Sequence, residues 1–135
     1  MSEISRHASC SCGQLRAEVA GDPIRISMCH CLACQRRTGS AFGIQSRFRA
    51  EHVEITGRAA EFTRISDEGE KTRTFRFCPD CGATVYFTGS DFPDVIAIPM
   101  GAFADPSFPP PLVSVYESRR HPWVSQPASI ERHES

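Results

Sequence analysis

The residues of this chain best suited to chemistry are its seven cysteines, which fall into three short groups. These groups are a C-x-C pair, a C-x-C-x-x-C run and a C-x-x-C pair: Cys10 and Cys12; Cys29, Cys31 and Cys34; Cys78 and Cys81. Such spacings bring sulfur atoms together on one turn, as a metal ion requires, because Zn–S bonds are about 2.3 Å long. Disulfides would close strained rings within the C-x-C pairs and leave one thiol over. The pattern therefore favours metal binding over disulfides.

Two of the groups together supply four thiolates, the usual ligand set of a structural zinc ion. They are Cys10-Ser11-Cys12-Gly13 and Cys78-Pro79-Asp80-Cys81-Gly82, and a glycine closes each turn. Glycine allows the positive φ at which backbone N–H groups point toward thiolate sulfur. The sequence therefore predicts a closed zinc site that ties an N-terminal strand to a distant hairpin. Iron is an alternative, because rubredoxin-like knuckles share the C-P-x-C-G spacing.

The remaining group, Cys29, Cys31 and Cys34, has no fourth cysteine, and this suggests a zinc ion with an open coordination position. An open position is typical of a catalytic site, where a substrate thiol would be a suitable fourth ligand because zinc stabilises its thiolate form. One alternative is three free thiols. Another is a closed structural site completed by a histidine, and the candidates are His7, His30, His52 and His121. Since His30 lies between two of the cysteines, we expect its side chain to point away from the metal.

Polar residues directly after this run are candidates for substrate binding. Arg36 and Arg37 suit carboxylate recognition, because a guanidinium group can donate two parallel hydrogen bonds to a carboxylate. The alternative is that both are solvated surface charges. Ser40 could donate a hydrogen bond to the substrate, although a serine beside Gly39 also fits a local turn.

The elements that must position these residues are mainly strands. Alternation and runs of strand-forming residues predict strands over residues 15–19, 24–28, 41–48, 53–55, 60–65, 72–77, 83–88 and 112–117, and residues 94–100 form another apolar run. Residues 32–38 fit one or two helical turns that end at Gly39, and the C-x-x-C pair falls at a hairpin tip. Aromatic residues on the strands, and Trp123 after them, are expected in the core or in the wall of a cleft.

The composition indicates one soluble globular domain over residues 1–125, followed by a polar, frayed tail over residues 126–135. With 40% hydrophobic and 23% charged residues, the chain is neither a coiled coil nor disordered. No apolar stretch approaches a membrane span, and no secretion signal is visible, so we expect a cytoplasmic protein without a membrane partner. A net charge of -1 argues against a nucleic-acid partner.

Four stretches of the chain resemble the glutathione-dependent formaldehyde-activating enzyme (GFA) family, also called GFA/CENP-V. The first three contain all seven cysteines, and the fourth lies near the C-terminus. They are residues 10–13, residues 29–42 (Cys29-His30-Cys31-Leu32-Ala33-Cys34-Gln35-Arg36-Arg37-Thr38-Gly39-Ser40-Ala41-Phe42), residues 77–82, and residues 115–118 with Trp123. The resemblance spans residues 7 to about 124. Gln35 departs from it, because the family often has a basic residue or serine there.

The resemblance implies a mainly β fold, the β-tent, in which small antiparallel sheets are joined by a structural zinc and helical turns are short. Carried over by position, the family roles make Cys10, Cys12, Cys78 and Cys81 the structural ligands. They make Cys29, Cys31 and Cys34 the catalytic ligands. Two zinc ions per chain are therefore expected, in agreement with the grouping of the cysteines.

The resemblance also implies a carbon–sulfur lyase that adds the thiol of glutathione to formaldehyde, giving S-hydroxymethylglutathione. Its expected partners are glutathione or another small thiol, and a small aldehyde. The alternative hypothesis is a non-catalytic zinc-binding module that docks a protein or a small thiol.

Overall fold

The fold, taken from a computed structural model that describes residues 4–66 and 68–135, is built from two β-sheets and short helical elements. The strands of the described residues are β1 (Ser5–Ser9), β2 (Arg16–Ala20), β3 (Arg25–Cys29), β4 (Gly43–Arg49), β5 (Val53–Thr56), β6 (Ala60–Ile65), β7 (Thr72–Phe77), β8 (Thr84–Gly89), β9 (Val95–Pro99), β10 (Val113–Val115) and β11 (Glu131–Arg132). They match the predicted strands and, for β9, the apolar run to within a few residues; β1 and β11 were not predicted.

Helical structure is short, as predicted. The described part of the chain contains one α-helix, α1 (Leu32–Thr38), and three 3-10 turns at Ala50–His52, Met100–Phe103 and Glu117–Arg119. Helix α1 ends at Gly39, whose φ of 65° and N–H bond to the Gln35 carbonyl form a left-handed cap. The predicted end of this helix is confirmed.

The smaller sheet has the strand order β1-β2-β5 and is antiparallel. The larger sheet of the described residues has the order β11-β10-β3-β4-β9-β8-β7-β6. It is antiparallel from β3 to β6, whereas β10 pairs in parallel with both β3 and β11. The parallel pairs were not predicted, because single-strand alternation carries no information on strand direction.

The two sheets share one apolar core. Leu15, just before β2, and Val19 of β2 pack with Phe48, Val85 and Ile98 from the larger sheet, and each is 0–1% exposed. Alternation explains this core, because successive residues of a strand face opposite sides of its sheet. The four-cysteine cluster lies where the sheets meet, since Cys10 follows β1 and Cys78 follows β7. The predicted mainly β, tent-like fold class is confirmed.

The C-terminal segment is more ordered than the sequence indicated. Ile130 is 8% exposed and packs with Met28 and Val124, and β11 adds a parallel strand beside β10. The expected fraying of residues 126–135 is therefore wrong. The buried Ile130 and two residue pairs between β10 and β11 fix a stretch that is otherwise polar. The described residues contain no helix long and apolar enough to cross a membrane.

Candidate metal sites and active-site cavity

The four-cysteine cluster is formed by two turns with closely similar backbones. The Cys10 N–H donates to the Leu15 carbonyl, and the Cys78 N–H donates to the Ala83 carbonyl, both at 3.0 Å. Gly13 and Gly82 close the turns with φ of 86° and 81°. The turns bring the sulfur atoms of Cys10, Cys12, Cys78 and Cys81 within 4.8 Å of one another. Four convergent thiols fit a tetrahedral metal ion, as predicted.

Hydrogen bonds to Cys78 favour its thiolate form. Gln14 Nε2 donates to Cys78 Sγ at 3.0 Å, and the Asp80 N–H donates to the same sulfur at 3.4 Å. Burial opposes ionisation of Cys78, but these donors outweigh it and lower its pKa to about 6. A thiol already ionised near neutral pH is prepared to bind a metal ion.

A close backbone contact holds Gln14 in place. The Gln14 side chain donates to the Arg58 carbonyl and accepts from the Arg58 N–H, at 2.7 and 2.9 Å. Gly57, beside it, has a φ of 101°, and a Cβ there would lie 2.0 Å from the Gln14 carbonyl oxygen. Glycine is therefore required at this position both for its φ and for the approach of the two chains.

The three-cysteine cluster lies where β3 passes into helix α1. The sulfur atoms of Cys29, Cys31 and Cys34 also converge within 4.8 Å, and all three residues are buried. Cys31 caps the helix, because its Sγ accepts a hydrogen bond from the Cys34 N–H at 3.3 Å. The described residues, which include His7, His30, His52 and His121, place no histidine in this cluster. The closed alternative with a histidine ligand therefore has no support.

The three thiols share their protons unequally. Hydrogen bonds from Cys29 and Cys34, together with the charge of Arg64, lower the pKa of Cys31 well below that of an ordinary thiol. The same contact with Cys31 raises the pKa of Cys29. Three thiols so close together hold one thiolate readily and resist a second, because like charges repel. A dication would remove that resistance, so the donor set fits a zinc ion.

His30 points away from the cysteines, as expected, into a buried polar network. Its Nε2 lies 3.0 Å from Ser114 Oγ and 3.6 Å from the Glu117 carboxylate. Gln126 Nε2 donates to Ser114 Oγ at 2.9 Å and to Glu117 at 2.7 Å. Although burial opposes it, bonds from Ser114, Gln126 and Arg120 lower the pKa of Glu117 to about 2. Through His30, the network fixes the loop that carries Cys29 and Cys31 on the side away from their thiols, and it links this loop to the C-terminal segment.

The three-cysteine cluster opens onto a cavity of about 460 Å³, here called the cationic cavity. Alternate residues of β3 line it, since Arg25, Ser27 and Cys29 share one face of the sheet. Gln45 and Arg47 of β4 line it in the same way and lie opposite Ser27 and Arg25. The strand pleat thus places arginine side chains and a cysteine thiol in one cavity.

Five basic side chains line the cationic cavity: Arg25, Arg47, Arg64, Lys71 and Arg73. The acidic lining residues Glu68 and Asp91 offset part of this charge, and Asp91 pairs with Arg73. Burial and the neighbouring Arg25 and Arg73 lower the pKa of Arg47. An excess of cations next to acidic thiols indicates an anionic ligand.

The substrate-binding residues predicted from sequence lie outside this cavity. Arg36 is exposed, and Arg37 packs over the Phe75 ring with its guanidinium carbon 5.1 Å from the ring centre. Ser40 is exposed in the turn after α1, where its backbone N–H donates to Thr38 Oγ1. None of the three is among the described residues that line the cationic cavity.

Sequence reasoning missed the arginines of the strands. Arg25 lies four residues before Cys29 on a strand already predicted from alternation, so both side chains had to share a face. This signal was available, whereas the contributions of Arg64 and Arg73 depend on how β6 and β7 curve toward β3. Gln35, the departure from the family pattern, supports the fold, because it donates to the His30 carbonyl and contacts His121 Nε2.

Fold and clusters together define a class: a two-sheet β protein with one cysteine cluster between its sheets and a second cluster in the wall of a cavity. The chain belongs to the family described as glutathione-dependent formaldehyde-activating enzyme, whose pattern matches residues 5–119.

Two individual proteins are similar to the chain. A protein of Penicillium rubens named "Putative glutathione-dependent formaldehyde-activating enzyme" is 25% identical over 127 residues, which is 82% of this chain and 65% of that protein. The chain thus spans less than two thirds of that relative's length. A Rhodobacter sphaeroides protein of known crystal structure matches with a TM-score of 0.54 and 17% identity, over 71% of this chain and 85% of the other. At that identity the match supports the fold alone.

Proposed function

We propose that this chain is a zinc-dependent carbon–sulfur lyase that adds the thiol of glutathione to formaldehyde, giving S-hydroxymethylglutathione. One observation carries the proposal: three convergent thiols without a fourth protein ligand line a cavity rich in cations. The reaction forms one C–S bond and moves the thiol proton to the carbonyl oxygen. No electron transfer is involved.

In this proposal the metal is zinc, because four thiolates, or three with an open position, are usual ligand sets of zinc ions. Cys10, Cys12, Cys78 and Cys81 would hold a structural ion, and Cys29, Cys31 and Cys34 would hold a second ion that lowers the pKa of a substrate thiol. All seven cysteines lie in the described part of the chain as free thiols, which suits a reducing compartment such as the cytoplasm.

The basic residues of the cationic cavity supply the binding of glutathione in this proposal. Glutathione has two carboxylates, and guanidinium groups bind carboxylates through paired hydrogen bonds. Arg25 lies four residues before Cys29 on β3, with Arg47 opposite it on β4, whereas Arg64 is close enough to stabilise the Cys31 thiolate. This arrangement orients a carboxylate at the arginine end and the thiol at the cysteine end. The roles predicted for Arg36, Arg37 and Ser40 remain predictions.

The test is the exchange rate between glutathione and S-hydroxymethylglutathione, measured by NMR at equilibrium. Because the addition also occurs spontaneously, each rate is compared with a sample that lacks protein. We expect acceleration by the zinc-loaded protein and none by Cys31→Ser. Zinc-loaded protein that accelerates no thiol–aldehyde pair would instead support a non-catalytic module that docks a protein or a small thiol.

A further inference from the structure

A second depression adjoins the cationic cavity and differs from it in chemistry. This apolar groove has a volume of about 530 Å³, and its walls include Phe62, Phe75 and Phe77. Phe62, expected in the core or in a cleft wall, is 62% exposed on the groove side of the edge strand β6. An aromatic ring left this accessible in a lined groove is typical of a ligand-binding surface.

The apolar groove lies beside the cysteine site. Arg64 and Phe75 line both the groove and the cationic cavity. Ala33 lines the groove and also packs against the three-cysteine cluster. A molecule that reacts at the cysteines therefore has two neighbouring depressions to extend into, the cationic cavity itself and, past Arg64 and Phe75, the apolar groove.

The cationic cavity and the apolar groove suit the two halves of a hemithioacetal formed from glutathione and an aldehyde. A glutathione hemithioacetal carries its carboxylates on the sulfur side, and these fit the cationic cavity. On the carbon side it carries the substituent of the aldehyde. Formaldehyde has only hydrogen there, so nothing of its adduct reaches Phe62. The groove is matched to an aldehyde with an apolar substituent.

We propose that the aldehyde substrate class of this chain extends to aldehydes with an aromatic or alkyl substituent, held in the apolar groove. This inference rests on the proposed function. The step is the same addition: the thiol sulfur bonds to the carbonyl carbon, the C=O π bond breaks, and the thiol proton goes to the oxygen.

The charges around the groove favour this occupant over a second copy of the chain. Arg36, Arg37 and Arg64 line the groove, so two copies that met there would bring like charges together. An aromatic substituent instead gains from guanidinium groups beside it, as Phe75 does from Arg37 at 5.1 Å.

Binding of stable thioethers tests the proposal without relying on turnover. The probes are S-methylglutathione and S-(2-phenylethyl)glutathione, whose affinities for the zinc-loaded protein are measured by calorimetry. We expect the phenylethyl compound to bind about tenfold more tightly, the usual range for added apolar contact in a fitted pocket. Phe62→Ala should remove most of that preference.

Ile65→Ala is the matched control, because Ile65 is on the same strand, is 64% exposed and does not line the groove. It should keep the full preference. Equal affinities of the two thioethers for the wild-type protein would overturn the inference and leave the proposed function intact. If neither thioether binds and formaldehyde exchange is not accelerated, the proposed function itself is wrong.

Two further measurements complete the test. In the exchange assay, the ratio of the rate constants for phenylacetaldehyde and acetaldehyde should fall about tenfold in Phe62→Ala and stay constant in Ile65→Ala. Molar mass is measured on the same samples. A dimeric wild-type protein that becomes monomeric on Phe62→Ala would identify the groove as an interface between copies and overturn the inference.

Discussion

Arg25 and Arg47 lie directly opposite one another on the antiparallel strands β3 and β4, and both side chains line the cavity of the three cysteines. Like charges in opposed positions destabilise a strand pair. Within the described residues, the Nε atom of each is buried without a hydrogen-bond partner. The fold offsets part of this repulsion, because the Arg47 guanidinium lies over the Phe92 ring at 4.2 Å. Under the proposed function, a carboxylate of glutathione would bind between the two guanidinium groups.

The first prediction concerns this pair. In Arg47→Gln, the ratio of KM for glutathione to KM for the neutral thiol 2-mercaptoethanol should rise about tenfold or more, because a charge-assisted hydrogen bond to a carboxylate is lost. Initial exchange rates over a range of thiol concentrations measure this ratio. Arg49→Gln is the control, since its side chain is outside the cavity and 60% exposed. An unchanged ratio in Arg47→Gln would show that Arg47 does not distinguish a negatively charged thiol from a neutral one.

The second prediction separates the two cysteine clusters. Cys31→Ser should lose one of two zinc ions and the activity, yet keep its fold, because serine is a good helix N-cap in the position that Cys31 occupies. Metal analysis and circular dichroism on the same samples measure both quantities.

Cys78→Ser is its counterpart at the junction of the sheets. Cys78 is fully buried, so this variant should lose the other zinc ion and unfold at a much lower temperature. If Cys31→Ser unfolded as readily as Cys78→Ser, the three-cysteine cluster would be structural.

The third prediction concerns the backbone beside the four-cysteine cluster. Gly57→Ala should destabilise the protein by more than the roughly 1–2 kcal/mol that a positive φ costs alanine, because its Cβ would strike the Gln14 carbonyl. Gln14 donates to Cys78, so the affinity for the structural metal should fall as well. Chemical denaturation and competition with a chelator provide the two values.

Gly21→Ala is the matched control, because Gly21 also has a positive φ, of 84°, but open space around it. The free energy of unfolding of Gly21→Ala should fall by no more than the roughly 1–2 kcal/mol that a positive φ costs alanine. Equal losses in the two variants would mean that the contact with Gln14 relaxes freely.

The fourth prediction is a pH dependence at Glu117. Its pKa is lowered from 4.5 to about 2, so the stability that it contributes is fully present above about pH 4.5 and is lost as the pH falls toward 2. The free energy of unfolding should therefore differ between wild type and Glu117→Gln by about 1.5–3 kcal/mol at pH 6. The difference should shrink below pH 4. Metal loss at low pH affects both proteins and cancels in the comparison, and a difference that grew on acidification would contradict the prediction.

The sequence was informative wherever a signal was local. Period-two alternation located β6 and β7 to the residue, and Gly39 marked the end of the helix. Both cysteine clusters were predicted from spacing, because cysteines separated by one or two residues on a tight turn place their sulfur atoms close together.

Contacts between distant segments could not be read from the sequence. Which arginines line the cavity depends on the order of strands in the larger sheet, and Arg36 and Arg37 were favoured only because they are close to Cys34 along the chain. Trp123, expected in the core or a cleft wall, is 72% exposed, whereas its neighbour Val124 is buried. The burial of Ile130 in a polar stretch likewise depends on an unpredicted parallel strand.

The two cysteine clusters differ in how their members are spread along the chain, and this sets an order for their assembly. Cys29, Cys31 and Cys34 lie within six residues, whereas Cys12 and Cys78 are 66 residues apart. During synthesis, five thiols therefore leave the ribosome before the two that complete the tetrahedral set. A metal ion that arrives early meets Cys10 and Cys12 without their partners. We expect the pairing of β1 with β2 to hold Cys10 and Cys12 in their own turn until the β7–β8 hairpin folds, and so to limit ligation of their metal by the cysteines that follow.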